Sequence, residues 1–233
     1  MNNYDGRRVV NADVGLNAFM TKMFAWMGLA VLVSAGTSFA ITQFFPNFMT
    51  NFSGGMIWIP LIIWFVFPFL ISSQAMKNTG LSFIFLMIYA MISGGVFSIY
   101  TLIYTSTSIA SAFVASAAVF LVMAGFGAVT KRDLTKLGTQ ATAALIALIV
   151  VMIINLFIQS SWISMAFSAI AIIIFTILTA TDTQRMKKLY MQNSGQVSVS
   201  GLAIMGALQL YLDFVNLFLN MLQIFGGIGG NRN

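Results

Sequence analysis

Seven apolar runs, each close to the length that crosses a bilayer, constrain this chain more than any other feature. They lie at about 24–45, 55–75, 80–104, 107–129, 138–159, 162–183 and 201–225. A helix of roughly 20 apolar residues, rising 1.5 Å per residue, spans the hydrocarbon core of a membrane. The runs are continuously apolar rather than alternating, which points to helices and away from a β-barrel. The expected fold is an all-α integral membrane protein, a seven-transmembrane helix bundle over 24–225. A polar N-terminal tail (1–23) precedes it and a Gly-rich tail (226–233) follows. Only 7% of residues are charged, against about 25% in soluble domains, so no soluble domain of any size fits.

The basic residues give the expected orientation. Arg7, Arg8 and Lys22 precede the first run, Lys77 follows the second, Lys131, Arg132 and Lys136 follow the fourth, and Arg185, Lys187 and Lys188 follow the sixth. The alternate loops, near PNFMTNFSG, YTSTS and IQSSW, carry none. Such one-sided bias sets the N-terminus in the cytoplasm. The net charge of +6 is then an orienting charge. No basic face interleaves with aromatics, so no nucleic-acid partner is expected.

The chemistry open to the chain is narrow. It has no Cys, no His and no Glu, and its acids are Asp5, Asp13, Asp133, Asp182 and Asp213. Disulfides, thiolate sites and histidine-based catalysis are excluded, and no resident cofactor is expected. Pro60 and Pro68 predict bends in the second span. Ser108, Ala112 and Ser116, spaced at four, form a small-residue stripe suited to close helix packing. Asp133 reads as the N-terminal cap of the fifth helix. The glycines of GGIGGNRN read as a helix stop and a loose tail.

The last run holds the odd feature. LQLYLDFVNLFLNML carries Gln209, Asp213, Asn216, Asn220 and Gln223, spaced four, three, four, three. On a helix all five fall within an arc of about 80°. The opposite face, with Leu208, Leu212, Phe214, Val215, Phe218 and Leu219, reads as lipid-compatible. An ionised Asp at mid-bilayer costs on the order of 3 kcal/mol, so this helix is expected to be central, its seam turned toward other helices or a cavity. The amides read as glue between helices; Asp213 reads as functional. Asp182, at the cytoplasmic end of the sixth span, is the available partner, with Asp213 about 18 Å into its own helix. Two carboxylates in reach of each other share a proton, and such a pair could titrate toward neutrality without histidine. Doubly ionised, it attracts a hard cation such as Ca²⁺, with amide oxygens assisting.

The segments YTSTSIASAFVASAAVF (104–120), TKRDLTKLG (130–138), INLF (154–157), ILTATDTQRMK (177–187) and LYLDFVNLF (210–218) resemble the Bax inhibitor-1 family, in its bacterial branch. The resemblance implies a seven-helix bundle whose last helix is surrounded by the other six. It further implies a pH-sensitive Ca²⁺ leak across the plasma membrane, with Asp182 and Asp213 as sensor and Ca²⁺ site. Gln209, Asn216, Asn220 and Gln223 would line the path. Calcium is then the transported ion, and protons and the lipid bilayer are the other partners. Some bacterial members place a basic latch residue near the end of helix two; here LISSQAMKN offers only Lys77, set further along. Two other functions compete. One is a regulatory protein that binds a membrane protease or stress factor. The other is an intramembrane aspartyl protease, which the missing GxGD and PAL motifs disfavour, so no enzyme is expected.

Overall fold

The computed structural model describes residues 4–45, 58–193 and 198–229, with side chains from residue 14 onward except 58–61, 156, 228 and 229. Within them the chain forms seven α-helices and no strand: α1 (Tyr4–Phe44), α2 (Trp58–Ala75), α3 (Thr79–Ile103), α4 (Ser106–Val129), α5 (Thr135–Ile158), α6 (Ser161–Asn193) and α7 (Val199–Gly229). Six are long and apolar enough to cross a membrane: α1 from Val14, α3, α4, α5, α6 and α7. In α2 the described apolar stretch is the shorter Ile62–Ala75. Pro68 lies inside that helix, and Pro60 lies in its first turn, where a missing N–H costs nothing.

Three ends differ from expectation. The helix of the first run reaches back to Tyr4, through most of the polar tail. The helix of the sixth run continues eleven residues past Asp182 to Asn193. Hydropathy marks where a helix leaves lipid, not where its hydrogen bonds stop. The third difference is at the C-terminus, where α7 passes through Gly226 and Gly227 to Gly229. Gly226 is buried, and a Cβ there would collide with the ring of Tyr104. This glycine therefore serves close packing; residues 230–233 lie outside the described residues.

The chain divides into two compact units, Met1–Ser98 with Met186–Gln209, and Ile99–Arg185 with Leu210–Asn233. In the first, aromatic side chains join α1 to its neighbours. Phe19 stacks on Tyr190 of α6 at 4.7 Å, and Trp26 meets Phe83 of α3 at 5.5 Å. Lys22 lies 4.7 Å over the Trp26 ring and donates to Ser200 Oγ at 2.6 Å. Its charge is thus satisfied at the start of α7. Gly94 brings α3 against the α1 backbone, where a Cβ would overlap the Ser34 carbonyl.

The second unit is built around α4. Thr105 caps it, its side chain accepting from Ser108 N at 3.2 Å. Ser108, Ala112 and Ser116, followed by Phe120, Ala124 and Gly127, are the buried residues of this helix. Ala112 packs with Phe218, Met221 and Leu222 of α7. Ser116 donates to the Ala112 carbonyl at 2.6 Å and to Met221 Sδ at 3.2 Å. Phe113 and Phe120 meet Phe214 edge-on at 5.7 and 5.8 Å. Further along the same stripe α4 touches α6: a Cβ on Gly127 would overlap the Ala180 carbonyl oxygen.

Candidate functional site

Asp213 is carried near the middle of α7, fourteen residues from its first residue, or about 21 Å along the axis. It is 2% exposed. Its Oδ2 is buried and has no hydrogen-bond partner among the described residues. A buried carboxylate oxygen of this kind is costly unless the group holds a proton or meets a cation. Asp182 is 7% exposed and belongs to the same compact unit. Asp182 is not at the end of its helix, as the sequence suggested. The eleven residues that follow it carry α6 about 16 Å further, so both carboxylates sit at mid-helix positions.

The surroundings of Asp182 are hydroxyl-rich. Thr179 and Thr183 are fully buried, and their hydroxyls donate to the carbonyls of Phe175 and Thr179, each at 2.8 Å. Thr181 donates to Leu178 O at 3.1 Å. Such back-bonding satisfies buried hydroxyls within their own helix. Gln184 is buried and ties the α4–α5 loop to α6. Its Oε1 accepts from Leu134 N at 2.8 Å, and its Nε2 donates to Arg132 O at 2.7 Å. The only hint in the sequence was an amide two residues past Asp182, ahead of a basic run. The other charged side chains of the second unit's described residues, Lys131, Arg132, Asp133, Lys136 and Arg185, are exposed. Lys77 is exposed too, in the turn after α2 within the first unit. The aspartate pair is therefore the buried charge of its unit. Asp133 caps α5 from one position earlier than a formal N-cap. The N-cap is Leu134, while Asp133 Oδ1 accepts from Thr135 N at 3.0 Å and Thr135 Oγ1 at 2.6 Å, an Asx-type turn.

The polar seam of α7 is placed as follows. Gln209 is half-buried and belongs to the first unit; Asn216, Asn220 and Gln223 continue the seam in the second. Glue between helices describes only part of it. Gln223 does reach across, accepting from Ser168 Oγ of α6 at 2.7 Å. Asn216 and Asn220 instead donate to their own helix, to Leu212 O and Asn216 O, each at 2.8 Å. The apolar face opposite the seam is largely covered. Leu208, Phe214, Val215 and Phe218 are buried in protein. In an apolar window of 18 residues, 67% of α7 is buried, against 11% for α5. Among the described residues no group of three or more acidic, His or Cys side chains gathers, so any cation at this pair would complete its ligands with neutral oxygens or water.

At the C-terminal end of the seam lies a cavity of about 450 Å³. Tyr104 and Thr105 line it from the α3–α4 turn, Ser108 from α4, Ser161 and Ser164 from α6, and Gln223 from α7. Sequence reading gave no sign of it, since its walls come from three separate loops and helix ends.

Known proteins share this pattern over almost the whole chain. Residues 16–231 match the family model described as "Inhibitor of apoptosis-promoting Bax1". The chain belongs to the Bax inhibitor-1 family. Its relatives are bacterial membrane proteins. YrjE of Lactococcus lactis subsp. lactis (strain IL1403), an uncharacterised protein, is 40% identical over 94% of both chains. An uncharacterised membrane protein of Streptococcus pyogenes serotype M1 is 38% identical over 92% of this chain and 95% of its own. The inner membrane protein YbhL of Escherichia coli (strain K12) is 32% identical over 94% of this chain and 95% of its own. This protein is thus a multi-pass helical membrane protein in contact with the lipid bilayer.

Proposed function

We propose that this protein is a pH-sensitive calcium leak channel of a bacterial plasma membrane, gated by protonation of Asp182 and Asp213. The observation that carries the reading is the buried Asp213 carboxylate, with one oxygen unpartnered and a second buried aspartate, Asp182, in the same compact unit. At low pH the pair shares a proton and the path is closed. As pH rises the shared proton leaves, the two anions repel, and the doubly charged site admits Ca²⁺. All seven helices cross the membrane in this reading, α7 is enclosed by the other six, and the N-terminus is cytoplasmic. The heavy burial of α7 and the one-sided basic residues support that arrangement. The protein acts as a conduit rather than an enzyme, with Ca²⁺ as cargo.

The test is Ca²⁺ flux into dye-loaded liposomes, measured against pH for wild type, Asp182→Asn and Asp213→Asn. Wild-type flux should rise with pH, and each variant should lose most of that slope. Pair gating fails if both variants keep the wild-type curve. The family description, which names an inhibitor, favours a second reading: a regulator that binds another membrane protein, the polar seam being internal structure. A double aspartate-to-asparagine variant with full cellular activity would select it.

A further inference from the structure

We infer that the cavity at the α3–α4 turn is a low-affinity site for a hydrated divalent cation, forming the far mouth of the path that leads to the aspartate pair. The inference rests on the channel reading above and extends it by naming where the ion enters or leaves. Its volume of about 450 Å³ holds roughly fifteen waters at ~30 Å³ each. That is room for a calcium ion with its six to eight oxygen ligands. The lining offers hydroxyl and amide oxygens from Thr105, Ser108, Ser161, Ser164 and Gln223, and no charged side chain. Neutral hard oxygens attract such a cation without holding it. Conduction needs that balance, because an ion must leave a site as readily as it enters.

Several of these groups are fixed in place. Ser168 donates to Gln223 Oε1. Asn155 Nδ2 donates to Ser164 Oγ at 2.9 Å, and Thr105 Oγ1 and Ser108 Oγ share a hydrogen bond of 2.9 Å. Tyr104 forms one wall, its ring lying directly on the backbone of Gly226 and stacked with Tyr100 at 6.1 Å. From Gln223 the seam runs through Asn220 and Asn216 to Asp213 on one helix face, spaced three, four, three. Those ten residues cover about 15 Å. The cavity and the carboxylate pair are thus joined by a continuous polar line on a single rigid element.

The absence of cysteine from the chain makes a direct test available. Ser108→Cys and Ser161→Cys place single thiols in the cavity, and Val122→Cys places one on the exposed side of α4 as control. Each protein is reconstituted in liposomes and treated with a trimethylammonium-bearing, membrane-impermeant methanethiosulfonate, with labelling read by mass spectrometry. The fixed positive charge should lower Ca²⁺ flux at least fivefold at both cavity positions, reversibly on reduction, and leave Val122→Cys unchanged. Complete labelling at Ser108→Cys and Ser161→Cys with unaltered flux overturns the inference, and so does failure of the water-soluble reagent to reach either thiol. Should a variant lose flux before labelling, Thr105→Cys serves as a third cavity position under the same criteria. Absence of Ca²⁺ flux in the unmodified wild type is a different result: it removes the channel reading itself.

Discussion

Replacing Gly127 by alanine asks whether the distance between α4 and α6 is set by a missing side chain. A Cβ at Gly127 would overlap the Ala180 carbonyl oxygen and lie 2.9 Å from both the Ala180 carbonyl carbon and Cα. Ordinary contact begins near 3.4 Å, so the helices must part by at least about 0.5 Å at this point, more to clear the oxygen. The obstacle is backbone, which cannot rotate aside as a side-chain tip would. Overpacking of this kind costs about 1–3 kcal/mol. Alanine also removes the conformational freedom of a helical glycine, worth about 0.5–1 kcal/mol in its favour. Gly125, two residues earlier on the exposed side of the same helix, supplies the control, since a Cβ there meets nothing within 4 Å. Gly125→Ala gains the backbone term alone, so the difference between the variants is the steric cost alone. At about 2–4 °C per kcal/mol for a chain of this size, Gly127→Ala should melt roughly 2–12 °C below Gly125→Ala. The assay is thermal unfolding of detergent-solubilised protein followed by tryptophan fluorescence or light scattering. Equal midpoints for the two variants would refute the claim that α4 and α6 touch backbone to backbone.

Other outcomes follow from the same geometry. Gln184→Leu should leave the buried Leu134 N–H without its acceptor and the Arg132 carbonyl without its donor, at a cost of about 1–3 kcal/mol; hydrogen exchange at residues 132–135 should speed up while exchange in the middle of α4 does not. Asp213→Asn should flatten the rise of Ca²⁺ flux with pH, yet unfold within about 2 °C of wild type at low pH, because a protonated carboxyl and an amide have similar size and neither is charged. Lys22→Met removes both the Ser200 hydrogen bond and the cation over Trp26. It should cost about 1 kcal/mol and appear as faster exchange at the start of α7. Gly226→Ala should push Tyr104 off the helix and alter labelling of a thiol at Ser161, with little change at Val122.

What the sequence made legible is what composition and period encode. Length and hydropathy placed the helices, and the four-three spacing put Asp213 and its amides on one face. The end of α6 was not legible because apolarity ends near residue 183 while hydrogen bonding continues to Asn193. Beyond that point α6 still packs, with Tyr190 stacked on Phe19. What covers the apolar side of α7 was not legible for a deeper reason. A membrane interior and a protein interior are equally apolar, so Phe214 and Phe218 look the same whether they face tails or the aromatic edges of Phe113 and Phe120. Gln184 and the cavity were invisible because each is made by residues distant in the chain. Hydropathy has no way to register a hydrogen bond between residues 134 and 184.

The placement of α4 ties these observations to the proposed gating. Its small-residue stripe and two phenylalanines pack on α7 from Phe214, next to Asp213, to Leu222, through Ala112, Phe113, Ser116 and Phe120. One and a half to two turns later, Gly127 rests on Ala180, two residues before Asp182. A single helix is therefore in contact with both aspartate-bearing helices. Repulsion between two ionised aspartates at an effective dielectric near 20 is worth a few kcal/mol at close range. That is the same order as the packing that α4 supplies at Gly127. A conformational change driven by one proton is feasible only when the opposing terms are matched in this way. It follows that loosening the α4–α6 contact should move the pH of opening, while substitutions on the outer face of α4 should not.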